Sequence, residues 1–192
     1  MLPELLQKSS LFALLFKIDS DLAEKTRLSE CPICGSTLHY ANYDRKPRGG
    51  PANLPDEYFL CFSLCCGREG CRKRIKPPSV RFWDRRVYWS TTILVVMALR
   101  QNRPNSYSTY RLSKILDIDS DTIRRWISYF QVVFPDSARW QSIRGRIASK
   151  ITNSNLPGAL LAYFIGHSRS EESGLIECLK FLSSGLPPLV IT

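Results

Sequence analysis

The spacing of apolar residues predicts that most of this chain is helical. Within residues 1–28 they recur at intervals of three and four and form one stripe, which either packs on the core or docks a partner: Leu11, Leu14, Leu15, Ile18 and Leu22. Residues 87–100 are so apolar that their helix is expected to be buried between other helices. Further helices are predicted at residues 137–149, 156–166 and 171–183, and Cys178 is expected to be a core thiol of the last one.

Two short helices separated by a tight turn are predicted in the middle of the chain. Residues 107–116 form the first, and residues 120–131 form the second, whose apolar positions follow the i, i+3, i+4, i+7 pattern: Ile123, Trp126, Ile127 and Phe130. Asp119 is expected to cap the second helix, because a short acceptor side chain bonds the free N–H groups there. The pattern matches a helix-turn-helix, and an ordinary pair of packed helices has the same pattern.

A strand pattern is confined to one region. Residues 37–43 alternate loosely, residues 58–64 are predicted to be the return strand, and the segment between them is rich in Pro, Gly and charge. The predicted fold class is therefore mostly α with a small β zinc ribbon, in which the helices form a bundle containing a helix-turn-helix. The predicted division is an N-terminal helix (1–30), a zinc ribbon (31–76), a basic arm with the helix-turn-helix (77–150) and a C-terminal helical segment (151–192).

Two cysteine clusters flank this strand pattern and predict one structural zinc ion. Cys31-Pro-Ile-Cys34-Gly places two thiolates on one tight turn, and a second cluster about thirty residues later supplies the other half of a tetrahedral shell. The preferred ligands are Cys31, Cys34, Cys66 and Cys71. Cys65 competes with Cys66, Cys61 with Cys65 forms another possible pair, and His39 is an outside candidate. Four thiolates close the shell, which favours a structural role over a catalytic one.

The charge of the chain points to an anionic partner. The formal net charge is +10, and the basic excess is concentrated in residues 31–151. One dense run is interleaved with Phe82 and Trp83, and two prolines favour extended backbone within it: Arg72, Lys73, Arg74, Lys76, Arg81, Arg85 and Arg86. We predict that this run is an arm that follows nucleic-acid phosphates, with a solvated basic linker as the alternative.

The second helix of the predicted pair offers a surface for the major groove of duplex DNA. Its first turns carry the residues that would reach base edges or phosphates: Ser120, Asp121, Thr122, Arg124 and Arg125. Arginine can bind guanine through two hydrogen bonds. Asp121 either accepts a hydrogen bond from cytosine or stabilises the helix, because a negative charge is favourable near its N-terminus.

Cellular location is predicted from what the sequence lacks. The apolar run at residues 11–16 is too short for the core of a secretory signal, and residues 87–99 are too short to span a bilayer. We therefore expect a cytoplasmic protein associated with the bacterial nucleoid and no membrane partner. In a reducing compartment the seven cysteines favour metal over disulfides.

The order of these motifs resembles a known family. The motifs are Cys31-Pro-Ile-Cys34-Gly, Cys66 to Cys71 with the basic residues that follow, and the stretch from Leu112 to Trp126. This order is similar to the N-terminal DNA-binding region of certain bacterial insertion-sequence transposases and to short zinc-ribbon proteins encoded by mobile elements. The resemblance implies binding at element ends, followed by strand transfer in an acidic-triad nuclease domain.

The residues after Gln131 predict no such nuclease. The stretch is too short for the fold, and its acidic residues are few: Asp136, Glu171, Glu172 and Glu177. We therefore expect a non-catalytic, zinc-stabilised DNA-binding protein that acts as an accessory or regulatory factor of a mobile element. Its expected partner is duplex DNA, through the major groove and the backbone, and a further candidate is a transposase or a second copy bound through the C-terminal helices. The alternative is a zinc-ribbon adaptor for a protein or RNA.

Overall fold

The structure is a computed structural model that describes residues 2–84, 86–102, 108–147, 151–184 and 189–191. It is mostly helical with a small antiparallel sheet, as the apolar spacing predicts. Its α-helices, numbered α1 to α8 in chain order, are Leu2–Leu5, Ser9–Leu28, Ser90–Asn102, Thr109–Leu116, Ser120–Ser128, Ala138–Ile143, Gly158–Gly166 and Glu171–Ser184. Its strands, β1 to β6, are Leu38–Tyr40, Tyr43–Asp44, Leu60–Cys61, Leu64–Cys66, Arg74–Lys76 and Leu189–Ile191.

Helix α3 lies at the centre of the main core. Its residues 93 to 98 are all buried, which confirms the burial predicted from their apolar sequence. Helices α7 and α8 pack against each other and against α3, and Cys178 is a fully buried core thiol, as expected. Burial raises the pKa of Cys178, so this thiol stays protonated. The apolar side of the C-terminal helices is therefore used within the chain.

Helix α3 begins later than the sequence predicts. Residues 87–89 lie outside the helix, because their backbone bonds to a residue from the loop between β2 and β3. The backbone N–H of Arg48 donates to the carbonyl of Val87 at 2.8 Å, and that of Trp89 donates to the carbonyl of Arg48 at 3.2 Å. This long-range pairing keeps residues 87–89 out of the helix that their apolar pattern predicts.

The first four strands form one hairpin interrupted near its middle. Strand β1 pairs with β4 and β2 pairs with β3, both antiparallel and in one register, since Tyr40 lies opposite Leu64 and Tyr43 opposite Cys61. At the interruption the side chain of Asn42 accepts a hydrogen bond from the backbone N–H of Ser63 at 3.1 Å. The return strand, predicted at residues 58–64, starts at Leu60 in the structure, because Asp56–Phe59 form a 3-10 turn.

Two more strands extend this hairpin into a four-stranded sheet with the order β1-β4-β5-β6. Strand β5 pairs with β4, and β6 pairs with β5, both antiparallel. The sequence pattern predicts neither β5 nor β6. The prediction that Leu186, Pro187 and Pro188 terminate the fold concerns residues outside the described ranges.

The pair of short helices in the middle of the chain is present as two packed helices. Helix α4 ends at Leu116, and Asp117 adopts a left-handed conformation (φ 51°) that turns the chain toward α5. Asp119 caps α5, as predicted, because its side chain accepts from the backbone N–H groups of Asp121 and Thr122. Helix α5 then continues into a π-helical turn at Tyr129–Val133. Tyr107, the predicted start of α4, lies outside the described residues.

Candidate functional site

Four cysteine sulfurs form one cluster at the end of the sheet. The Sγ atoms of Cys31, Cys34, Cys66 and Cys71 all lie within 4.8 Å of one another. The Cys34 and Cys66 sulfurs are 3.4 Å apart, those of Cys31 and Cys71 are 3.9 Å apart, and no disulfide joins them. A tetrahedron with metal–sulfur bonds of about 2.3 Å has sulfur–sulfur edges of about 3.8 Å. The cluster therefore has the dimensions needed to bind one metal ion.

The first pair of ligands is held by a turn that needs a glycine. The backbone N–H of Cys31 donates to the carbonyl of Ser36, and that of Gly35 donates to the carbonyl of Cys31, both at 2.8 Å. Gly35 has a φ of +69°, in the left-handed region that glycine enters without a Cβ penalty. This turn directs the sulfurs of Cys31 and Cys34 to the same point.

The geometry of strand β4 shows which of the two adjacent cysteines, Cys65 or Cys66, belongs to the cluster. Leu64 and Cys66 are buried on one face of β4, so Cys65 points to the other face, since side chains alternate along a strand. The Cys65 sulfur lies 3.6 Å from the carbonyl of Arg72 and is not part of the cluster. The choice of Cys66 thus agrees with the geometry. The apolar Leu64 two positions earlier is the sequence signal that favours Cys66, because alternate residues share one face of a strand.

The other sulfur and imidazole candidates lie elsewhere. Cys61 is buried in the main core with the helices, and it is not in the four-sulfur cluster. His39 lies opposite Cys65 in the hairpin, and its ring packs beside Gly67. Neither residue contributes to the cluster.

Two of the clustered thiols have pKa values shifted in opposite directions. Hydrogen bonds with the side chain and the backbone of Ser36 lower the pKa of Cys34 to about 6. Burial raises the pKa of Cys66 to about 12. A cation that binds all four sulfurs must therefore displace a proton from Cys66, since thiolates are the ligands.

The part of the sheet around the cluster has very little core of its own. Its buried residues are separate from the main core and include two of the clustered cysteines: Cys31, Leu38, Leu64, Cys66 and Ile75. Such a small apolar core supplies little folding free energy. A bound metal ion would therefore contribute much of the stability of this region.

Glycine conformation gives a direct test of the first turn. We expect Gly35→Ala to destabilise the metal-bound protein by roughly 1–2 kcal/mol, because its φ of +69° is unfavourable for alanine even though the space is open. Gly70→Ala is the matched control, since Gly70 also has open space but is not among the positive-φ residues. Urea unfolding of both variants measures the difference, and equal losses of stability would contradict this account.

The predicted basic arm divides into an exposed part and a buried part. Arg72, Lys73 and Arg74 are exposed, and Lys76 is half-buried, with its Nζ donating to the carbonyl of Asp84 at 3.2 Å. Arg86 is half-buried and lies over the ring of Tyr129, 4.0 Å from its centroid. Arg85 lies outside the described residues. Arg68, which the sequence analysis did not single out, is exposed beside the second cysteine pair.

The prediction that Arg81 contacts phosphate is wrong. Its side chain is fully buried, and its guanidinium donates to Asp19 at 2.8 Å and to the carbonyls of Tyr58 and Leu60 at 2.6 and 2.8 Å. Arg81 therefore connects helix α2, the hairpin and the segment before α3. Burial raises the pKa of Asp19, and Arg81 together with hydrogen bonds from the Ser79 hydroxyl and the Val80 N–H opposes that shift.

The first turns of α5 are partly open to solvent. Asp121, Arg124 and Arg125 are exposed, and Ser120 and Thr122 are half-buried. Both arginines bond within their own helix: Arg124 pairs with the carboxylate of Asp121, and Arg125 donates to the Asp121 carbonyl at 3.2 Å. On the opposite side, Ile123, Trp126 and Phe130 are buried, so the polar side chains are left on the outer face.

Fold and site together define a mostly helical protein whose small antiparallel sheet brings four cysteines into position for one metal ion. Among the described helices, none is both long and apolar enough to cross a membrane. No family model, curated protein or solved structure matches this chain.

Proposed function

We propose that this chain is a zinc-stabilised DNA-binding protein that reads duplex DNA with helices α4 and α5 acting as a helix-turn-helix. The observation that carries the proposal is the outer face of α5. Its first turns expose two arginines beside a capped N-terminus, while its apolar face is fixed in the core. A recognition helix needs this arrangement, since its N-terminal residues enter the major groove.

Zinc is the metal that the ligand set favours. A site of four thiolates with tetrahedral dimensions suits zinc or an iron–sulfur centre. Three features favour a single structural zinc ion: the four sulfurs come from two cysteine pairs, no further cysteine joins the cluster, and the sulfur spacing fits one ion. Metal analysis of the purified chain would show one zinc per chain, and a coloured, iron-containing protein would contradict the assignment.

The hydrogen bonds that the arginines of α5 make within their own helix do not prevent DNA binding. An exposed ion pair such as Arg124 with Asp121 stabilises a protein by at most about 1 kcal/mol. A bidentate contact between arginine and guanine contributes about 1–3 kcal/mol of discrimination. The free energy lost when these side chains leave their own helix is therefore smaller than the free energy gained from the contact with DNA.

Basic side chains around the second cysteine pair support contact with the DNA backbone. Arg68, Arg72, Lys73 and Arg74 are exposed on or next to the metal site. A four-thiolate zinc centre carries a net charge of −2, which these four cations more than offset. Phosphate contacts of this kind position a protein without reading sequence and make its affinity depend on salt.

Binding of duplexes from a random DNA pool, followed by affinity measurement on the enriched sequence, tests the proposal. We expect Arg125→Gln to weaken binding by about 5- to 150-fold, as loss of a guanine contact does, and to relax preference at one position of the site. The measurement is a fluorescence titration of the labelled duplex at two salt concentrations.

The matched control is Lys180→Gln, which removes one cation from an exposed ion pair on α8. Its affinity for the same duplex is expected to stay within about twofold, since a single remote charge acts weakly across solvent. An equal loss in both variants would show that net charge alone drives binding. No binding to any duplex by the zinc-loaded chain would refute the proposed function.

A role as an accessory or regulatory factor of a bacterial mobile element follows from the same proposal. The order of the motifs, with paired cysteines before the two helices, supports it. Duplexes enriched from the random pool that match the ends of an element would support assistance to a transposase. Enriched duplexes that match a promoter would support regulation. Self-association through the C-terminal helices stays a prediction, and a sedimentation measurement of the purified chain tests it.

An adaptor role is the second candidate, and one observation favours it. Ile33, between the first two cysteines, is 59% exposed, and Tyr40 and Tyr43 on the hairpin that follows are also exposed. Apolar side chains at the tip of a metal site suit a protein or RNA partner. Ile33→Ser would abolish capture of such a partner and leave DNA affinity unchanged. Arg125→Gln would weaken DNA binding and leave capture of the partner unchanged.

A further inference from the structure

A cavity of about 600 Å³ lies where three parts of the chain meet. It is lined by the loop of residues 47–52, by the start of α3, and by the turn that follows α4. Its volume is within the range of small-molecule sites. It does not include the cysteines or the outer face of α5, so neither proposed function uses it.

The loop that forms one wall of the cavity is fixed in place. Thr92 donates its hydroxyl hydrogen to the carbonyl of Gly49 at 2.7 Å, and Gly49 has a φ of +83°, which favours glycine. A Cβ at Gly50 would lie 2.6 Å from the Nε1 atom of Trp89, so this position also requires glycine. With Arg48 paired to the segment before α3, the wall is preformed.

Two hydrogen-bond donors line the cavity. Trp89 lines it and is only 1% exposed, and within the described residues nothing accepts a hydrogen bond from its indole N–H. Arg48 also lines it, and its side chain is exposed, so its guanidinium is accessible to a ligand. An indole N–H and a guanidinium therefore both face this space, and both are hydrogen-bond donors that suit a ligand rich in acceptor oxygens.

The charge around the cavity defines the kind of ligand. The guanidinium of Arg48 is a planar fork of donors that matches the oxygens of a phosphate group. Asp117 also lines the cavity and would repel a bare anion, but it can accept a hydrogen bond from a hydroxyl or amino group. Phe59 adds an apolar side chain to the lining.

We propose that this cavity binds a phosphorylated small molecule of mononucleotide size, with its phosphate on Arg48 and Trp89 and a hydrogen-bond donor on Asp117. Such a ligand would contact both the loop of the hairpin and the turn between α4 and α5. The inference is independent of DNA reading, because it uses none of the residues of the outer face of α5.

Calorimetric titration of the zinc-loaded full chain tests this proposal. The probes are the four ribonucleoside monophosphates, ribose 5-phosphate and, as a phosphate-free reference, adenosine. We expect saturable binding of at least one phosphorylated probe with one site per chain, and no binding of adenosine. Arg48→Gln is expected to weaken that binding by about tenfold or more, because it removes a charged hydrogen bond from an exposed side chain that the fold does not need.

The matched control is Lys46→Gln, which removes an exposed cation from the same loop but does not line the cavity. It is expected to leave the affinity within about twofold, since exposed charges at a distance are screened. Equal weakening by both variants, or no saturable binding of any phosphorylated probe, would overturn the proposal. Binding of a short DNA duplex that Arg48→Gln abolishes, without binding of any free probe, would assign these donors to DNA phosphates and would also overturn it.

Discussion

Cys66→Ser is expected to lose the metal ion and the folded state of the sheet around it, whereas Cys65→Ser is expected to keep both. Cys66 faces the other three sulfurs, and the adjacent Cys65 lies on the opposite face of β4. A serine hydroxyl stays protonated at neutral pH and does not replace a thiolate. Structural zinc contributes apparent folding free energies of about 10–16 kcal/mol in small zinc domains, and the local core here is very small.

Metal analysis and limited proteolysis of the two variants measure this difference. The parent chain and Cys65→Ser are expected to hold one metal ion per chain and to resist cleavage near residues 31–76. Cys66→Ser is expected to hold almost none and to be cleaved there. Full metal content in Cys66→Ser, or an equal loss in both variants, would show that the four sulfurs do not form the binding site.

Asp19→Ala is expected to destabilise the chain by about 3–5 kcal/mol, because it leaves the buried charge of Arg81 without its partner. The carboxylate of Asp19 also accepts from the hydroxyl of Ser79 and the backbone N–H of Val80, so three donors lose their acceptor together. A loss of this size is a large fraction of the stability of a typical domain. Urea unfolding of the metal-bound protein measures it.

Two further variants separate the charge effect from a general effect of substitution. Asp21→Ala changes an exposed acid on the same helix and is expected to alter stability by no more than about 0.5 kcal/mol. The double variant Asp19→Leu with Arg81→Met is expected to recover much of the loss, since apolar pairs often replace buried ion pairs at little cost. If Asp19→Ala and Asp21→Ala had the same small effect, the buried pair would have no structural role.

Local pattern was sufficient to predict most helices because helix formation depends on neighbours within a few positions. The apolar spacing at 11–22 and at 123–130 predicts α2 and α5, and a single side chain, Asp119, marks where α5 begins. The cysteine spacing likewise predicts a four-sulfur cluster, although only the first pair lies on one tight turn and Cys66 lies on strand β4. The sequence pattern does not indicate strand β6, because its partner β5 lies more than a hundred residues earlier.

The sequence by itself therefore determined the mostly helical fold, a metal site built from two cysteine clusters and the basic excess of the chain. Only the tertiary structure decided how individual polar residues are used. Arg81 is part of a basic run along the chain, yet its partner Asp19 lies 62 positions away and places it in the core. Arg48 is an ordinary loop residue in sequence, and only the packing of its loop on α3 places it beside a cavity. Charge is a property of a residue, whereas burial depends on distant segments that meet only after folding.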